Sequence, residues 1–288
     1  MKRGNWKNSK LMPLLVLICL LISICAFSST ALALPVEEVA LNDVVNYYEN
    51  HNDRELADWG EWLGVASCTN DLGSFVPTAT NTDSEVGKII AKLIRGKDVT
   101  AEATAVAAKI DDGTYTTPND LPWAIIAVDA ANRSQETPVA SYDKAVTLAK
   151  FATWQKADGG FDFNTNTTGT GDVDVTAVVA IALAPYKDDV NYQGVVNNIK
   201  TFLAASQNAD GGYSSADMEW AGDIYPGSPN ANANTTAMAI CALEALGEDS
   251  LTWHGTASTT SPVTALLNYQ LPDGGFKFVS TDTVSNTF

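Results

Sequence analysis

The chain has 288 residues, 45% of them hydrophobic, and a formal net charge of −17. That length and apolar content suffice for the core of one large domain, and the acidic balance argues against nucleic acid or anionic lipid as partners. Two histidines leave little from which to build a zinc site.

Residues 1–33 read as an export signal. Lys2, Arg3, Lys7 and Lys10 form a basic head, and residues 11–27 an apolar run slightly short for a membrane span of ~20 residues. Ala31-Leu32-Ala33 has the small-x-small cleavage pattern, and Cys25 follows Ile24 rather than the small residue a lipoprotein would carry. The expected location is secreted or at the cell surface, with membrane contact only through the signal. Removal of the leader takes four basic residues and leaves 13 against 34 acids, a charge of −21. Only Cys68 and Cys241 then remain, both in apolar helical patterns that suit buried free thiols.

From Val36 the pattern predicts an outer helix with Val39, Leu41, Val44, Val45 and Tyr48 as its stripe. Residues 56–67 predict a first inner helix, and residues 71–75 a worn copy of a turn that recurs downstream. Thr82-Asp83 is a start signal for a helix over 84–95, which Gly96-Lys97-Asp98 stops. An outer helix over 100–110, a shortened turn over 111–115 and an inner helix over 119–131 follow, with Pro122 in the first turn where its missing N–H costs nothing. The next outer helix spans 139–154, with Ala145, Leu148, Ala149, Phe151 and Ala152 as its apolar stripe.

There the organising stretch begins, Gln155-Lys-Ala-Asp-Gly-Gly-Phe161. It returns 52 residues later as Gln207-Asn-Ala-Asp-Gly-Gly-Tyr213, and 63 after that as Gln270-Leu-Pro-Asp-Gly-Gly-Phe276. Gln155, Gln207 and Gln270 match, as do Asp158, Asp210 and Asp273. The glycine pairs Gly159-Gly160, Gly211-Gly212 and Gly274-Gly275 and the aromatics Phe161, Tyr213 and Phe276 complete the motif. Such a period marks stacked supersecondary units, each unable to bury its apolar face alone. The reversal predicts positive φ at two or more of Gly160, Gly212 and Gly275. Residues 174–184, apolar on every side, predict a buried inner helix. An outer helix over 191–206, a polar insertion over 214–233 and an inner helix over 234–246 stopped by Gly247 come next. Residues 261–269 predict a sixth outer helix. Six inner starts are expected near Leu56, Asp83, Asn119, Asp174, Asn234 and Asn286, giving one all-α domain over 34–288. Its sixth inner helix is truncated, so an open edge is expected where a partner or a second copy would sit.

The Gln-x-x-x-Gly-x-aromatic core of the three copies resembles the QW repeat of squalene and oxidosqualene cyclases. It thereby resembles the terpenoid cyclase and protein prenyltransferase superfamily, and also the cyclase-like repeat domains of secreted bacterial surface proteins. The resemblance is strong over 139–288 and weaker over 36–138. It implies an α/α toroid, a ring of helical hairpins with inner and outer helices. Function does not follow from that fold.

Gly171-Asp-Val-Asp-Val-Thr-Ala177 is similar to the cyclase Asp-x-Asp-Asp-Thr-Ala segment, whose middle acid protonates an alkene. Asp172 and Asp174 match the first two acids and Val175 replaces the third. The simpler expectation is that Asp174, like Asn234, is the N-cap of its inner helix. The Asp-x-Cys and His of the prenyltransferase zinc site and the Cys-Gly-Glu-Gln thioester string of complement-like proteins are both missing. Asp162-Phe-Asn-Thr-Asn166 opens like a calcium loop, but Thr167 stands where glycine is needed, so a solvated polar loop is expected. Of the tryptophans beyond the expected leader (59, 62, 123, 154, 220 and 253), Trp123 and Trp220, with Tyr225, are candidates for ligand contact.

The leading expectation is a binding or structural module without catalysis and without a cofactor, its ligand a glycan, a cell-wall polymer, a small molecule or a protein. An isoprenoid cyclase using Asp172 and Asp174 is the alternative. A carbohydrate-active enzyme, which needs a carboxylate pair across a cleft, is the third.

Overall fold

In the computed structural model, the described residues are 36–50, 55–56, 65–66, 75–77, 84–135, 137–220, 223–225 and 227–285. The expected signal peptide, most of the first inner helix with Trp59 and Trp62, Cys68, the worn turn up to Ser74, the Thr82-Asp83 start signal and Asn286 lie outside them. No helix among them is long and apolar enough to cross a membrane.

The class is predominantly helical. The helices are α1 (Val36–Asn50), α2 (Glu85–Ile94), α3 (Thr100–Asp111), α4 (Asp120–Arg133), α5 (Lys144–Trp154), α6 (Val173–Leu183), α7 (Gln193–Ser206), α8 (Ala233–Leu246) and α9 (Pro262–Leu267). Two short ladders accompany them. β1 (Glu55–Leu56) pairs in parallel with β2 (Val76–Pro77), and β3 (Met218–Trp220) pairs antiparallel with β4 (Asp223–Tyr225). Leu56 is therefore in a strand and does not open a helix. The 214–233 insertion carries a hairpin of its own.

Buried and half-buried helices alternate as the sequence predicts. Every residue of α6 except Asp174 is buried, and α4 and α8 bury most of theirs. α4 packs against both α2 and α6, and α6 against α8, so the most apolar helices form one continuous series. α3 packs on α2 and α4, α7 on α6 and α8, and α9 on α8. The stripes of the half-buried helices differ from the expected ones. α5 buries Thr147, Leu148 and Phe151, while Ala145, Ala149 and Ala152 are exposed. A short methyl gains little from contact, and Phe151 instead sets the docking face by edge-to-face stacking on Phe161 and Trp154. α1 buries Ala40 and Tyr47 and leaves Val39 exposed.

The three motif copies make one turn by one set of bonds. In each, the glutamine amide donates to the carbonyl of the first glycine and to a carbonyl of the next half-buried helix or its approach. Gln155 reaches Val195 at 3.0 Å, Gln207 reaches Thr260 at 3.2 Å, and Gln270 reaches Ala40 at 2.8 Å. The aspartate accepts from the second glycine's N–H, and Asp158 also from Gly171. Positive φ falls on Gly159, Gly211 and Gly274, the first glycine of each pair, and not on Gly160, Gly212 and Gly275. Those second glycines serve closeness instead: a Cβ at Gly160 would sit 2.7 Å from the Phe202 ring, and one at Gly275 equally near the Tyr47 ring.

The caps of the two most buried C-terminal helices, α6 and α8, also lie two residues before the expected positions. Asp172 and Asn232 are the N-caps of α6 and α8, accepting from Val175 and Thr235 N–H, while Asp174 and Asn234 lie inside the first turn. The cause is a tertiary bridge. Asp172 N–H donates to Phe161 O and Asn232 N–H to Tyr213 O, which holds both residues extended, as a cap must be. Thr176 and Thr236 complete the joint by accepting from the N–H of Phe161 and Tyr213.

Candidate functional site

The polar chemistry gathers where the first turn, the start of α6 and the insertion meet. Asp172 is 3% exposed and uses both oxygens: Oδ1 accepts from Val175 N–H at 2.9 Å and Oδ2 from Ala216 N–H at 3.0 Å. One carboxylate thus caps a helix and anchors the insertion. Burial pushes Asp172 above its ordinary value against three backbone N–H bonds, and the nearby charge of Asp162 adds to the rise.

Asp174, two residues on, is the less satisfied acid. Its Oδ2 accepts from the Thr235 hydroxyl at 3.0 Å, and that hydroxyl accepts from the Asn232 amide. Its Oδ1 is buried without a hydrogen-bond partner. Burial first, and Asp172 second, push the carboxyl up to about 7. The pair therefore divides: Asp172 is a structural carboxylate, and Asp174 an acid able to hold a proton near neutrality.

Above them the 162–170 loop folds around a cation supplied by the chain. The Lys156 side chain is wholly buried, and its ammonium donates to Thr168 O at 2.6 Å and to Asn166 O at 3.1 Å. It lies 2.9 Å from Asp162 Oδ2 and 3.3 Å from Asn166 Oδ1. Asp162 and Asn166, which read as calcium-loop residues in sequence, thus join Thr168 in surrounding a lysine. Nothing in the sequence pattern singles out Lys156, since the second and third copies carry Asn208 and Leu271 at its place.

Between this loop and the insertion lies a cavity of about 360 Å³, lined by Asp162, Phe163, Asn164, Thr170, Ala216 and Asp217. Its walls are fixed by bonds already named and by Asp217 accepting from Gly227 N–H at 2.8 Å. Two carboxylates, an amide, a hydroxyl and a half-buried ring offer acceptors to hydroxyl or ammonium groups and an edge for an apolar face. A second cavity, about 240 Å³, lies between α1, the third turn and α8, with Tyr47, Tyr48, Phe276 and Asn234 in its lining.

Of the residues singled out in the sequence, Asp172 and Asp174 come together here. Trp220 and Tyr225 lie on opposite strands of the insertion hairpin, and Tyr225 pairs with Met218. Trp123 is elsewhere, half-buried against the core in the first turn of α4. Asp162 and Asn164 stood out in the sequence only as the opening of a calcium-like loop, and Asp217 was missed, because an isolated polar loop residue carries no periodic signal. Among the described residues no group of His, Cys, Asp and Glu is arranged to hold a metal ion. Cys241 is a free thiol packed on the core, and burial, with the charge of Glu244, pushes it up to about 11. No family model, curated protein or solved structure matches the chain.

Proposed function

We propose that this protein is an exported binding module on an α/α toroid, taking a polar ligand rich in hydroxyl or ammonium groups in the cleft between the 162–170 loop and the insertion. The toroid is supported by the series α2, α4, α6, α8 with α3, α7 and α9 packed on it, and by α1 meeting the third turn as α7 and the approach to α9 meet the first two. Export is supported by the leader pattern of residues 1–33. The observation that carries the binding reading is the polar cavity itself, whose walls are pre-ordered by Asp158, Asp172 and Asp217. Walls ordered before binding lower the entropy that association would otherwise cost.

An amino-sugar polymer, as found in cell walls, has this chemistry. The test is calorimetric titration of glucosamine hexamer and its N-acetylated counterpart into the parent and the Asn164→Ala/Asp217→Ala double variant. Saturable binding that weakens at least tenfold in the variant is expected. Absence of binding to both oligomers, or equal binding by the variant, overturns the proposal.

Asp174 supports the cyclase as a second reading, since a buried, unpartnered oxygen on an acid pushed up to about 7 is a proton donor. Incubation with squalene and analysis for cyclic products by mass spectrometry decides it. Products that vanish in Asp174→Asn support the cyclase, and no products exclude it for that substrate.

A further inference from the structure

Phe276 departs from its counterparts in the other two turns. Phe161 and Tyr213 are wholly buried, their backbones bridged to the caps Asp172 and Asn232, whereas Phe276 is half-buried and bridges to Gln270. It borders the cavity of about 240 Å³ between α1, the third turn and α8. Tyr47 and Tyr48, edge to face at 5.4 Å, stand in its wall with Val44 and Leu266, and Asn234 adds an exposed amide. These walls are held in place. The Tyr47 hydroxyl meets Ser285 at 2.9 Å, and Ala233 N–H donates to Phe278 O at 2.9 Å, which lays the third turn along the start of α8. The polar cleft lies against the neighbouring helix start, where Asp172, the cap of α6, holds Ala216. Asp174 and Thr235 bond the first turns of α6 and α8 at 3.0 Å. Packed helix axes stand about 8–10 Å apart, so one polymer of several rings can reach both cavities.

We propose that this aromatic pocket is a second sugar subsite, which takes one pyranose ring of the polymer whose neighbouring units occupy the cleft. The assignment of the ligand as a sugar polymer rests on the reading of the cleft. A pyranose has an apolar C–H face and a polar edge. The face lies on Tyr48 and Phe276, and the edge bonds the Asn234 amide, which both donates and accepts. None of the described residues lining the pocket is charged, so a neutral N-acetylated unit suits it. In the cleft, the carboxylates of Asp162 and Asp217 suit a free amine. Once one unit is held in the cleft, the pocket captures the next from a high local concentration, so affinity grows with chain length.

Calorimetric titration of N-acetylglucosamine dimer and hexamer into the full chain tests it, with Tyr48→Ala, Asn234→Ala and the cleft variant Asn164→Ala/Asp217→Ala alongside. The hexamer is expected to bind the parent at least tenfold more tightly than the dimer, and each pocket variant should lose that gain. Asn234 is exposed, so Asn234→Ala decides the matter even where Tyr48→Ala does not fold. Equal affinity of the parent for dimer and hexamer overturns the second subsite. Hexamer binding weakened by the cleft variant, but by neither pocket variant, overturns the pocket and leaves the cleft standing. Weakening by the pocket variants alone overturns the cleft and sustains the pocket. No binding of either oligomer to the parent overturns the pocket as a sugar site.

Discussion

Gln270 donates its side-chain amide to the backbone carbonyl of Ala40, 230 residues earlier in the chain, at 2.8 Å. The same amide bonds the Gly274 carbonyl, as Gln155 bonds Gly159 and Gln207 bonds Gly211. What the first two copies do to the helical segment that follows them, the third does to the first helix. Tyr47 adds a hydroxyl contact to Ser285 at 2.9 Å, across 238 residues. Replacing Gln270 by Ala should therefore loosen α1 selectively, at a cost of about 1–3 kcal/mol, chiefly from the Gly274 carbonyl left without its donor. Hydrogen exchange over residues 36–50 should rise while α6 stays protected. Unchanged exchange in α1 would show that its packing, and not this bond, holds it.

The first glycine of each turn is constrained twice. Gly211 has φ 92°, and a Cβ there would come 2.8 Å from the Thr260 carbonyl oxygen. Gly113 has φ 79° but open space around it. Alanine at Gly113 should cost about 1 kcal/mol from backbone strain alone, and alanine at Gly211 clearly more, because backbone must also move. Urea denaturation of the two variants measures the difference. Equal losses would mean that the contact relaxes freely.

Asp174 sets a pH dependence whose sign is opposite to that of a salt-bridged acid. Its carboxyl lies at about 7 in the folded chain against an ordinary 3.8. Between those values the folded state binds more proton than the unfolded one, so this group's contribution to stability is full below about 4 and is lost as pH rises through about 7. Asp174→Asn keeps an acceptor for Thr235 and removes the titration. It should be more stable than the parent at pH 8 and should flatten the fall in melting temperature between pH 4 and 7. A variant with the parent's slope would place the titration elsewhere.

Asp172 has two separable duties. Asparagine there keeps an oxygen for Val175 N–H but presents N–H to Ala216, which needs an acceptor; alanine loses both bonds. Asp172→Asn should leave α6 capped while freeing the insertion, seen as faster proteolysis within residues 214–232. Asp172→Ala should add a loss of about 1 kcal/mol in global stability from the missing cap. Equal proteolysis in parent and Asp172→Asn would show that the hairpin is held by other contacts.

The sequence by itself determined the alternation of buried and half-buried helices, since apolar periodicity records how much of each helix meets water, and α6 is apolar on nearly every side. It also determined the three turns, because Gln, Asp and paired Gly are the residues such a reversal requires. Only tertiary structure decided which glycine of each pair carries positive φ, for the choice depends on the carbonyl of a neighbouring helix. The same holds for Asp172 over Asp174 as cap: both are good cap formers, and the bridge to Phe161 selects between them. Lys156 was illegible for the same reason. A buried ammonium is defined by the oxygens that fold around it, Asp162, Asn166 and Thr168, and no one-dimensional pattern ties a lysine to acceptors on a loop that has yet to close.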